Sequence, residues 1–96
     1  MATFVVLASF TEQGMRGVKQ STDRAEVFIG IAAKMGVTVT SLLWTVGHYD
    51  LAVTLDGTDE AVTAALLTLG MAGNVRTETL RAYSASEMQA IIGKLA

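Results

Sequence analysis

The sequence predicts an α+β fold in which one four-stranded antiparallel sheet carries its helices on a single face. Three observations lead there. Apolar spacing switches between the period of two of a strand and the three-to-four step of a helix, in the order strand, helix, strand, strand, helix, strand, helix. Glycines close the helical stretches at Gly36 and Gly73 and the third strand at Gly57. The 96 residues contain no cysteine, so residues 1–96 read as one domain with one core and no disulfide framework.

Each element has its own signal. Residues 3–10, TFVVLASF, are a short apolar run and make the first strand. Thr11 caps a helical turn that Gly14 and Gly17 weaken, so 11–18 is expected to be short or irregular. Asp23 and Glu26 form a variant capping box, and Ala25, Phe28, Ala32 and Met35 repeat along a helix over roughly 23–35. Residues 37–46, VTVTSLLWTV, are dense in β-branched and aromatic side chains and form the second strand. Gly47 to Tyr49 turns the chain into a third strand, where Leu51, Val53 and Leu55 alternate with Ala52, Thr54 and Asp56. Thr58, Asp59 and Glu60 open a second long helix with Val62, Leu66 and Leu69 as its inner stripe. Residues 75–83 alternate as a fourth strand with a charged face. Ser84 and Glu87 box the start of a terminal helix, Tyr83 is placed to staple onto Met88, and Met88, Ile91, Ile92 and Leu95 line one side. That side is expected to dock on its own domain. A right-handed first crossover that skips one position gives the strand order fourth, first, third, second, a ferredoxin-like arrangement.

Composition bears on partners. A hydrophobic share of 51% against 17% charged residues is high for a chain with so much exterior to cover, so some apolar surface is expected to meet a partner. Phe4, Val6, Ala8 and Phe10 lie on one face of the first strand, with Val5 and Leu7 on the other. The second strand is expected to set Leu42, Trp44 and Val46 opposite Val37, Val39 and Leu43. Two apolar sheet faces and one helix layer imply a homodimer packed sheet to sheet, with larger rings as an extension of it. A net charge of −2 speaks against nucleic acid. No apolar run approaches a membrane span and the start lacks a basic leader, so a cytoplasmic protein without a membrane partner is expected. One histidine and no cysteine give no metal-ligand spacing, and no cofactor is expected.

In this topology three stretches converge at one sheet edge: Ser9 to Gly14, Trp44 to Asp50, and Gly73 to Arg76. The candidate ligand-binding residues are therefore Trp44, His48, Tyr49, Asp50, Asn74 and Arg76, with amide groups near Thr11 and the Arg76 cation suited to an anionic or carbonyl-bearing metabolite. Each has a plainer role as well. His48 is a general base by chemistry and a solvated turn residue by context. Asp50 fits a turn-fixing acceptor of local N–H groups, Tyr49 a cover for the sheet edge, and Trp44 a filler of core or interface. Arg76 and Glu78 suit a surface ion pair, and Asn74 follows a helix end.

The stretch TVGHYDLAV resembles the hallmark of the GYD domain family, its glycine, tyrosine and aspartate standing here as Gly47, Tyr49 and Asp50. FTEQGMRGVKQS resembles the family's first strand entering a glycine-interrupted helix, and LGMAGNVRTETLRAYS its second helix end and fourth strand. The resemblance implies a small bacterial protein of the dimeric α+β barrel class. It brings no reaction with it, so the three residues carry over as motif residues only. Fold relatives implied by it include effector-binding domains, cofactor-independent monooxygenases and haem-degrading enzymes. A small-molecule binding module is the leading expectation, a structural oligomer subunit the second, and an oxygenase-like enzyme using His48, Asn74 and Trp44 the third. Against the enzyme, that group's asparagine belongs on the first strand, which here has none.

Overall fold

A computed structural model describes residues 1–96. Its elements are β1 (Ala2–Phe10), α1 (Glu12–Arg16), a 3₁₀ turn (Val18–Gln20), α2 (Ser21–Lys34), β2 (Thr38–Trp44), β3 (Leu51–Gly57), α3 (Asp59–Met71), β4 (Val75–Ala82) and α4 (Ala85–Ile92). The strands form one antiparallel sheet in the order β2-β3-β1-β4, as the crossover argument requires. α2 and α3 cover one face. Val6, Val53 and Leu55 of the sheet meet Phe28 and Ala32 of α2 and Val62 and Ala65 of α3 in the core, with Val37 closing one end.

Local chemistry explains most boundaries. Thr11 Oγ1 accepts from the Gly14 amide, Thr58 Oγ1 from the Ala61 amide, and Ser84 and Glu87 bond reciprocally as a capping box. The Ser84 backbone and side-chain bonds hold the Glu87 carboxyl below its ordinary value of 4.5. Gly36 and Gly73 take the left-handed conformation past α2 and α3. The Asp23–Glu26 box does not form. The 3₁₀ turn runs straight into α2, which therefore begins at Ser21 without a side-chain cap.

Two larger expectations also differ from the structure. A bulge in β2 between Val39 and Ser41 resets the alternation, so Val39 pairs Leu55, Leu42 pairs Val53 and Trp44 pairs Leu51. Val37, Val39, Leu42 and Trp44 thus share the helix-covered face, and Leu43 alone among the large side chains of β2 faces the other way, beside Ala52 and Leu7. Val46 lies beyond the strand in solvent. The open face is therefore mixed. It carries Val5, Leu7, Leu43 and Leu80 together with the Thr3–Asp56 and Ser41–Thr54 hydrogen-bonded pairs, Glu78 and Arg76.

The terminal helix is the second correction. No residue of α4 is buried, and Met88, Ile92 and Leu95 are exposed. Two residues join it to β4, and it leaves the body rather than folding back on it. The radius of gyration, 14.5 Å, exceeds the roughly 12.5 Å usual for this length, and the longest dimension reaches 51 Å. Tyr83 has the Arg81 guanidinium over its ring at 4.3 Å, while Met88 stays in solvent. No helix is long and apolar enough to cross a membrane.

Candidate functional site

The three separated stretches do meet. The Phe10 amide donates to Asp50 Oδ2 at 2.8 Å, and the Asp50 amide donates to the Ala8 carbonyl at the same distance. Asp50 therefore staples the β2–β3 turn to the end of β1, forty residues away, instead of accepting local amides. Within the turn the Thr45 amide donates to the Asp50 carbonyl, and Thr45 Oγ1 donates to the Tyr49 carbonyl. Gly47 sits at φ +145°, a backbone state that side chains disfavour, which is the physical reason for glycine at that motif position. On the other side of β1, the Thr11 amide donates to the Asn74 carbonyl at 3.0 Å and Thr11 Oγ1 to the Gly73 carbonyl at 2.6 Å.

The sheet nevertheless divides the candidate residues between its two faces. Tyr49, Arg76 and Glu78 line a shallow recess on the open face with Leu7, Ser9 and Thr77. There the Tyr49 hydroxyl donates to Glu78 Oε2 at 2.6 Å, and this bond, with the nearby carboxylate charge, raises the phenol above its ordinary 10.0. Glu78 is engaged by Tyr49, and the expected Arg76–Glu78 ion pair is not formed: Glu12 with Arg16 is the one pair in the molecule. His48 is exposed, meets the edge of the Tyr49 ring at a centroid distance of 5.3 Å, and has no hydrogen-bond partner to activate it as a base. No group of three or more histidine or carboxylate side chains is close enough to hold a metal ion.

Trp44 and Asn74 belong to the helix side. Trp44 Nε1 donates to Ser21 Oγ at 3.2 Å, pinning the start of α2 to β2. Asn74 Oδ1 accepts from Gln13 Nε2 at 3.1 Å. Trp44 and Asn74 are thus engaged with Ser21 and Gln13, His48 lies against Tyr49, and no hydrogen bond joins any two of the three.

Between the helix layer and the sheet lies a feature that sequence reasoning missed, a cavity of about 320 Å³. Fifteen of its twenty lining residues are hydrophobic, among them Phe10, Phe28, Leu42, Leu51, Leu66 and Leu69. Ser21, Asp23, Arg24, Thr68 and Asn74 supply its polar part. Phe28, Leu66 and Leu69 were legible as inner-stripe residues, but spacing shows which side faces inward and not whether facing layers close upon each other. Arg24 carried a faint signal, being a cation in the first turn of a helix, where the macrodipole favours acids. Concave, mostly apolar space with a few convergent polar groups is the usual form of a small-molecule site.

The family model described as GYD domain matches residues 4–92. No curated protein matches the chain.

Proposed function

The chain belongs to the GYD domain family, and on its geometry we propose that it is a homodimeric binding module holding a small, largely apolar molecule between sheet and helices. The 320 Å³ cavity carries this reading. It is a mostly apolar cleft that opens to solvent past Val27 and Ile31, so a ligand can enter and gains by burying that apolar wall. The open-face recess is the weaker site. It is shallow, its acid is already satisfied by Tyr49, and it lies on the surface that a sheet-to-sheet dimer would cover. Self-association is supported by Leu43 and Leu80, both exposed on that face.

The test is binding of a neutral fluorescent apolar probe, N-phenyl-1-naphthylamine. Ala25 lines the cavity from α2, and Ala25→Phe fills part of it. The expected result is saturable emission enhancement with the native chain and at least a tenfold weaker response with Ala25→Phe at unchanged thermal stability, on the order of one lost ring site. Equal binding by both proteins contradicts the cavity reading.

A further inference from the structure

Taking the cavity as the binding site, on which this step rests, we infer that its ligand is a monoanionic amphiphile, a carboxylate with a medium-length apolar chain such as that of octanoate, whose acid group lies at Arg24. The apolar part follows from the walls. The anion follows from Arg24, a half-buried cavity residue whose only partners are neutral. Its Nη1 donates to the Gly17 carbonyl at 2.6 Å and its Nη2 to the Gly14 carbonyl at 3.3 Å. A guanidinium has five N–H donors, so these bonds leave about three for a ligand.

No carboxylate lies within ion-pair distance of this cation, because the one ion pair of the molecule joins Glu12 and Arg16. Asp23 also lines the cavity but is exposed and does not pair with Arg24. Arg24 occupies the first turn of α2, so its charge adds to the positive end of that helix rather than offsetting it. Both carbonyls lie at the C-terminal end of α1 and favour the cation, but no formal negative charge neutralises it, and an anion in the cavity would do so. The two carbonyl bonds also hold the guanidinium plane in place, presenting a prearranged fork to a planar carboxylate. One such group matches one acid.

Isothermal titration of the full chain with sodium octanoate and with octan-1-ol separates the acid from the body. The expected result is octanoate binding about tenfold or more tightly than the alcohol, the usual gain of a charge-assisted contact. Arg24→Met should bring octanoate down to the alcohol and leave the alcohol unchanged. Equal affinities in the native chain overturn the anion assignment and leave the cavity reading intact, as does an Arg24→Met variant that weakens both ligands alike, which marks a purely structural arginine. Absence of binding by either compound overturns both. Should Arg24→Met not fold, Arg24→Lys reads the same contrast: octanoate alone loses affinity as the fork becomes a point charge.

Discussion

The Tyr49 hydroxyl and Glu78 are joined by a 2.6 Å hydrogen bond that favours the neutral phenol. Its consequence for pH is definite in sign. A tyrosine whose folded value lies above 10.0 contributes stability that is present below pH 10 and is lost as the pH rises through the folded value. In a Tyr83→Phe background, which leaves one tyrosine to titrate, absorbance at the tyrosinate band should give a midpoint above 10.0, and Glu78→Gln should bring it down toward 10.0. An unchanged midpoint would mean that the bond does not persist in solution. At this scale the sequence was only half legible. Gly47, Tyr49 and Asp50 were recognisable as a motif, and the turn was placed correctly. The partners of Asp50 and Glu78 were not, because each bonds across the sheet to a residue 29 or more positions away, where local spacing carries no information.

Among the elements, α1 is tied closely to the loop after α3. Thr11 and Gln13 bond to the loop after α3, and Gly14 presses onto it so closely that a Cβ there would stand 1.9 Å from the Asn74 carbonyl oxygen. The neighbour is backbone and cannot swing aside. Gly14→Ala should therefore cost about 2–3 kcal/mol as overpacking and lower Tm by roughly 10–20 °C for a domain of this size, measured by calorimetry. A loss under ~0.5 kcal/mol, the scale of an ordinary surface change, would contradict the close contact. In the sequence alone this glycine reads only as a helix breaker. Helix ends were read well wherever a cap or glycine marked them, at Thr58, Ser84 and Gly73. The β2 bulge escaped because inserting one residue into an alternating strand reverses the face of everything after it, and residues 37–46 read equally well in either register.

For the whole molecule, the order of strands was legible because connection handedness and strand count leave few arrangements. The position of α4 was not. An amphipathic stripe states that a helix has an apolar side to cover and says nothing about which chain covers it. Here Met88, Ile92 and Leu95 remain open in the lone chain, as do Leu43 and Leu80 on the sheet. The proposed sheet-to-sheet dimer would cover Leu43 and Leu80 and leave the helix-side cavity free for ligand. Native mass spectrometry in the presence of octanoate tests this account most directly, since one spectrum reports subunit number and occupancy. For a 10.1 kDa chain, the account predicts a particle of two chains with one octanoate per chain, the ligand lost on Ala25→Phe and the pairing lost on Leu43→Asp. A monomer, or ligand retained undiminished by Ala25→Phe, would contradict it.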